Sequence, residues 1–206
     1  MLLQIDATEP EHWLVAEAAH VLRRGGVAVI PTDTVYGVTC QIGSVSAIER
    51  LYALKKLDPK KPLSILLPDI GMVGRYSRTL STPSFRLMKR LLPGPYTFIV
   101  EASSDVPRIM LRKRKTIGLR IPDNPIALEL LAQLDEPLLT TSIRNPDNQI
   151  LNDPQEMALR YGSELDMVID GGPLLPIPST VVDLSGRDPV LLREGRGDVS
   201  ALGLFD

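Results

Sequence analysis

Short apolar runs and helix-period stretches alternate along almost the whole chain, and this alternation restricts the fold more than any other feature. Trp13, Leu14, Ala18, Val21 and Leu22 recur at helical spacing over residues 11–24, and Gly25-Gly26 stops that helix. Val27–Ile30 reads as a strand, and Ser46-Ala47-Ile48-Glu49 offers a capping box to a helix carrying Ile48, Leu51, Tyr52 and Leu54. Pro83 opens a helix running to Leu92, closed by Pro93-Gly94-Pro95; Asn124-Pro125 caps one running through Leu134; Asp153-Pro154 starts another that ends at Gly162. The apolar segments Leu63–Leu67, Tyr96–Ala102, Thr116–Ile121, Pro137–Ile143, Leu165–Ile169, Thr180–Leu184 and Val190–Arg193 read as strands. The 18 prolines fall mostly between these segments and sharpen their edges. The pattern predicts an α/β fold layered around one core, with a mixed sheet whose last strands pair antiparallel across hairpin-length gaps. No repeat, low-complexity tract or linker divides the chain, so residues 1–206 are expected to form a single domain.

Composition removes several classes of function. A hydrophobic fraction of 44% against 23% charged residues argues against disorder. Lys and Arg number 23 and Asp and Glu 25, a formal charge of −2 that predicts no global pull toward nucleic acid or membrane. No apolar run reaches the roughly 18 residues of a membrane span. The single cysteine, Cys40, excludes an intrachain disulfide, and with no signal peptide the expected compartment is the cytoplasm. Cys40 follows an apolar stretch with no histidine near it, which fits a small buried hydrophobe better than a nucleophile. His12 and His20 both fall in the first helix without cysteine company. No zinc site is expected, and both read as surface or helix-flank residues.

The segment Val27-Ala28-Val29-Ile30-Pro31-Thr32-Asp33-Thr34-Val35-Tyr36-Gly37 carries the sharpest chemical signal. An apolar strand ending in small polar residues puts hydrogen-bonding groups at the carboxyl edge of a sheet, where α/β proteins bind ligands. The same residues suit an ordinary strand-to-loop turn, and spacing alone favours that. Neither a P-loop nor a G-x-G-x-x-G motif occurs, so phosphate would have to be held by side chains and strand-end loops. Lys55, Lys56, Lys60 and Lys61 form one basic run; Arg108, Arg112, Lys113, Arg114 and Lys115 a second; Arg86, Lys89 and Arg90 a third. A single run is usually a solvated face, but three together favour an anionic partner. Arg120 and Arg193 are more pointed, because each sits in an apolar strand and needs an anion to offset its desolvation. An internal carboxylate such as Asp183 would serve, and so would a ligand carboxylate or phosphate gripped by the planar guanidinium. The residues leave the two open.

Taken in order, these elements resemble the YrdC/Sua5 family. The matching residues are Pro31-Thr32-Asp33-Thr34-Val35-Tyr36-Gly37, Lys55 with Lys61-Pro62-Leu63, Pro93-Gly94-Pro95-Tyr96-Thr97, Gly118-Leu119-Arg120-Ile121-Pro122, Thr141-Ser142, Ser179-Thr180-Val181-Val182-Asp183 and Leu192-Arg193-Glu194-Gly195. The resemblance implies a twisted open mixed sheet flanked by helices, with a large positively charged cleft. It also implies synthesis of L-threonylcarbamoyladenylate from L-threonine, bicarbonate and ATP, with release of pyrophosphate. A partner enzyme then moves the threonylcarbamoyl group to adenosine 37 of tRNA. By similarity, Thr34, Arg120 and Ser179 hold threonine, while Lys55, Lys61, Thr97, Ser142, Arg144 and Arg193 contact the nucleotide. Magnesium accompanies ATP, no tightly bound cofactor is implied, and no residue is singled out as a catalytic acid or base.

Three positions depart from the family pattern. Leu57 replaces an arginine of Lys-x-Arg-Pro, Arg144 replaces the asparagine of Ser-Ala-Asn, and Leu66 replaces a histidine found in several synthases. With Arg112-Lys113-Arg114-Lys115-Thr116-Ile117-Gly118 and Arg193-Glu194-Gly195-Arg196-Gly197-Asp198-Val199, they are most similar to the YciO branch. That branch implies a second reading, a non-catalytic binder of tRNA or double-stranded RNA. Its basic face would include Lys56, Lys60, Arg112, Lys113, Arg114 and Lys115.

Overall fold

Local signals place most of the helices in this structure, a computed structural model that describes residues 1–54, 63–111, 114–145 and 149–203. Three helices begin at a side-chain cap with proline in the first turn: α4 (Thr82–Leu91), α6 (Pro125–Leu134) and α7 (Pro154–Tyr161). Ser81 Oγ accepts from the Ser84 amide, Asn124 Oδ1 from Ala127, and Asp153 Oδ1 from Gln155, at 3.2, 3.0 and 2.9 Å. Each cap satisfies an amide the helix leaves orphaned, and proline there forfeits no bond. The expected capping box at Ser46 is displaced. α2 (Val45–Leu54) starts just before it, with Ser44 Oγ accepting from Ala47 at 3.4 Å. α1 (His12–Arg23) buries Leu14, Val15, Ala18, Ala19 and Leu22; Trp13 falls off that stripe and is 68% exposed. His12 and His20 are exposed. Two short helices, α3 (Val73–Tyr76) and α5 (Arg108–Leu111), complete the set.

The strands are β1 (Leu2–Gln4), β2 (Ala28–Ile30), β3 (Gly37–Gln41), β4 (Ser64–Leu66), β5 (Tyr96–Glu101), β6 (Thr116–Arg120), β7 (Leu138–Ser142), β8 (Met167–Asp170), β9 (Thr180–Asp183) and β10 (Val190–Arg193). They form one open mixed sheet in the order β1-β8-β2-β3-β7-β4-β6-β5-β9-β10. β9 and β10 pair antiparallel, as the short gap between them predicts. Two strands had no sequence-based expectation: β1, which exists by parallel pairing with β8, and β3, which pairs with β2 and β7.

The two faces of the sheet are covered unequally. On one face Val38, Ile65, Phe98, Leu119, Leu139 and Val182 meet side chains of α2, α3, α4, α5 and α7 in a single large core. On the other face Ala28, Ile30, Leu66, Leu138, Met167 and Ile169 pack against α1 and α6. Those two helices reach only part of that face. Because successive residues alternate sides, the uncovered remainder is formed by Gly37, Ser64, Thr97, Ile99, Thr140 and Val181, mostly small or polar.

Cys40 sits within the large core, fully buried, as expected of it. Burial pushes its thiol up to about 12 from an ordinary value of 9.0. As pH rises past that ordinary value, the unfolded chain sheds the proton and the folded chain does not, so stability falls between about pH 9 and pH 12. The slope is at most about 1.4 kcal/mol per pH unit. Urea melts at about pH 8 and about pH 10.5 should show a larger alkaline loss for the parent than for Cys40→Ala. Equal losses would remove the thiol as the source.

Candidate functional site

The uncovered half-face becomes a cleft because loops from both ends of the sheet rise around it. Its volume is about 190 Å³. Strand residues Ser64, Thr97, Ile99, Arg120, Thr140 and Val181 contribute to it, and Thr34, Ser142, Arg144, Pro178, Ser179 and Arg193 line it from strand ends and loops. All of the described residues that the resemblance assigned to threonine or nucleotide are therefore brought together. Lys55, Lys56, Lys60, Lys61, Arg112, Lys113 and Leu57 lie outside the described residues. Arg114 and Lys115 precede β6 and are not among the cleft residues, and Arg86, Lys89 and Arg90 belong to α4 on the opposite layer. Leu66 is packed under α1 and α6. Ser64, not Leu66, is the β4 residue that meets the cleft.

Arg120 is the buried charge of the site. Its side chain is 8% exposed and makes an ion pair through Nη2 with Asp33 Oδ1, whose side chain is 9% exposed. The internal carboxylate that the sequence left open is thus Asp33; Asp183 instead accepts from Ser185 at 2.6 Å. The same Nη2 donates to Thr34 Oγ1 at 2.7 Å and more weakly to Thr32 Oγ1 at 3.4 Å. Thr32 shapes the loop, donating its hydroxyl to the Val35 carbonyl at 2.7 Å and accepting the Thr34 amide at 3.2 Å. Burial pulls Arg120 below its ordinary value, and Asp33 opposes that. Arginine stays charged at neutral pH regardless.

The opposite wall is built on Ser179. Its hydroxyl lies 2.8 Å from Thr97 Oγ1, and its carbonyl accepts from Arg193 Nε at 3.1 Å and Nη2 at 2.7 Å. Thr180 Oγ1 accepts the Gly195 amide at 3.0 Å and donates to the Gly197 carbonyl at 2.7 Å, so the chain after β10 is folded onto β9. Burial, then the neighbouring Arg144 and Arg120, pull Arg193 below its ordinary value. Guanidiniums that disfavour one another's charge favour a bound anion. Arg144, at the position where the resemblance leads one to expect asparagine, lines the cleft.

Sequence reasoning gave no role to four residues whose hydrogen bonds hold the walls of this site, of which Tyr36 alone is among the cleft residues. Asp33 is one. Arg196 donates from Nη1 to the Asp33 carbonyl at 2.6 Å, tying the far wall to the Thr32–Thr34 loop. Tyr36 donates its hydroxyl to the Gly172 carbonyl at 2.6 Å and accepts the Gly171 amide at 3.1 Å. Asn152 accepts the Tyr36 amide at 3.2 Å and donates to the Leu174 carbonyl. The signal for Asp33 lay in the segment itself, a carboxylate between two threonines. Nothing local marks Asn152.

An open mixed sheet with helices over one face and a cleft on the bare part of the other is an α/β architecture. The Sua5/YciO/YrdC profile, described as Telomere recombination, matches residues 20–195, and the chain belongs to that family. It is 41% identical over 197 residues to the uncharacterized protein YciO of Escherichia coli K12, covering 95% of each chain. The crystal structure of E. coli YciO superposes with a TM-score of 0.92 at 39% identity over 98% of both chains. Human threonylcarbamoyl-AMP synthase is 35% identical over 192 residues, which span 88% of this chain and 68% of that protein. Sua5 of Pyrococcus abyssi complexed with L-threonine has a TM-score of 0.89 at 28% identity, covering 95% of this chain and 57% of that one.

Proposed function

We propose that the cleft binds L-threonine and ATP and joins them with bicarbonate into L-threonylcarbamoyladenylate, releasing pyrophosphate, as the first step of modifying adenosine 37 in tRNA. The observation that carries this reading is the convergence of Arg120, Thr34 and the Ser179–Thr97 pair on one hollow, with Arg144 and Arg193 facing the same space. Likeness to the threonine-complexed Sua5 and to the human synthase supports it. The reaction balances simply. The threonine amine attacks the bicarbonate carbon and water leaves, then a carbamate oxygen attacks the α-phosphorus and pyrophosphate leaves. Such chemistry asks mainly for positioning and charge neutralisation. Arg120 and Thr34 would hold the threonine carboxylate and hydroxyl. Arg193, Arg144 and Ser142 would face the triphosphate. Magnesium would arrive with ATP as part of the substrate.

Incubation of the protein with ATP, threonine and bicarbonate should release pyrophosphate in a threonine-dependent manner. Release no greater than in the no-threonine control removes the synthase reading. A second reading is favoured by Arg144, which adds a third guanidinium beside Arg120 and Arg193 at the cleft. The cleft would then hold the phosphate backbone of tRNA or double-stranded RNA without turnover. Phosphate contacts of that kind predict affinity that falls linearly with log salt. A duplex RNA titration with no binding even at low salt rules it out. Among the described residues no helix is long and apolar enough to cross a membrane.

A further inference from the structure

The geometry points to Asp33 as the residue that selects a free α-ammonium group on the amino-acid substrate, an inference that rests on the threonine reading above. Its basis is the shape of the Asp33–Arg120 pair. A guanidinium and a carboxylate frequently meet as a fork, with two parallel hydrogen bonds. Here the pair stands on one leg. Arg120 Nη2 alone serves Asp33 Oδ1, Thr34 and Thr32, while Asp33 Oδ2 and Arg120 Nε are both buried with no hydrogen-bond partner. Arg120 Nη1 makes no hydrogen bond among the described residues, and the arginine borders the cleft. Buried polar atoms left unmatched are expensive, and a pair with no purpose beyond stability would close the fork.

A zwitterion resolves both deficits at once. Its carboxylate accepts from the unused side of Arg120. That takes over part of the positive charge and loosens the hold on Asp33. The ammonium, attached to the adjacent carbon, then donates to the aspartate. Thr34 and Arg120 stand on one side of this arrangement, and Arg196 pins the Asp33 backbone by its hydrogen bond to the carbonyl. The anchor holds the Asp33 main chain in place while its carboxylate exchanges partners. A ligand that offers a carboxylate without an ammonium would displace Asp33 from Arg120 and leave it buried without a partner. The site therefore discriminates against des-amino and N-acylated acids, and the aspartate is a specificity-determining residue.

The test compares L-threonine with 3-hydroxybutyrate, which lacks the amine, and with N-acetyl-L-threonine, by calorimetry on the whole protein. The parent should prefer threonine by at least about tenfold, and Asp33→Asn should reduce that preference to within about twofold. A thermal melt without ligand establishes that Asp33→Asn is folded. If it is not, a crystal structure of the parent with L-threonine supplies the second measurement. The ammonium nitrogen within hydrogen-bond distance of an Asp33 oxygen supports the assignment; the ammonium elsewhere overturns it. A parent that binds threonine alongside an Asp33→Asn that keeps the full preference overturns the role of Asp33 alone. A parent that binds none of the three ligands overturns the threonine reading as well.

Discussion

Arg120→Ala is expected to lose stability and ligand response together. Removing the guanidinium strands the Asp33 carboxylate in a site where its side chain is only 9% exposed. Breaking a buried pair by deleting one partner typically costs about 3–5 kcal/mol. It also deletes the donor to Thr34, so threonine should no longer raise the melting temperature of the variant, whereas it should raise that of the parent. A double-mutant cycle separates the two effects. Replacing Arg120 with Met and Asp33 with Asn together removes both charges and should recover much of the stability, because neutral groups of similar shape in place of a buried pair are often tolerated. It should not recover the threonine response. If Arg120→Ala and the parent gain equally from threonine, Arg120 does not hold the ligand.

Gly195→Ala is expected to damage the site from the opposite wall, and it acts through backbone. A methyl group at this position would meet the Pro178 carbonyl oxygen, and would lie 2.5 Å from the Ser179 carbonyl carbon and 2.6 Å from its oxygen. No side chain can rotate away to relieve that contact. Overpacking of this kind typically destabilises by about 1–3 kcal/mol. The functional loss should be larger than the stability loss suggests, because the displaced segment carries Ser179, whose carbonyl receives Arg193 and whose hydroxyl meets Thr97. Threonine and ATP binding should both weaken in a variant that remains folded by circular dichroism. Normal affinity for both ligands would show that the Pro178–Ser179 wall takes no part in binding. Gly37→Ala is a useful contrast, since the clash there is with the Thr140 hydroxyl, a side-chain atom that can rotate.

What could be read without coordinates divides along the range of the forces involved. α6 and α7 were legible nearly to the residue, because Asn124-Pro125 and Asp153-Pro154 carry their caps with them. β1 was not, since Leu2-Leu3-Gln4 has no local preference and is a strand only because β8 lies beside it. β3 was hidden by Thr39, whose polar side chain breaks the apolar pattern; its hydroxyl is satisfied by the Leu139 carbonyl at 2.7 Å, from a strand far along the chain. Sheet order depends on such long-range pairing and left no trace in periodicity. At the site, the resemblance picked out Thr34, Arg120, Ser179 and Arg193, and the structure gathers them in one cleft. It could not name the partner of Arg120, because Asp33 is 87 residues away in sequence and both partner options satisfy the same electrostatic demand.

The lopsided helix coverage of the sheet has an evolutionary corollary. Each cleft-bearing strand is anchored by the residues on its reverse side, where Ile65, Phe98, Leu119, Leu139 and Val182 meet the large core. Exchanges on the bare side therefore draw little on the free energy that holds the strands in place. Selection can retune recognition there while the scaffold is kept, and the scaffold overlays E. coli YciO with a TM-score of 0.92. Such a protein can change its clientele without first acquiring compensating mutations, so close architectural kinship within this family is compatible with divergent chemistry.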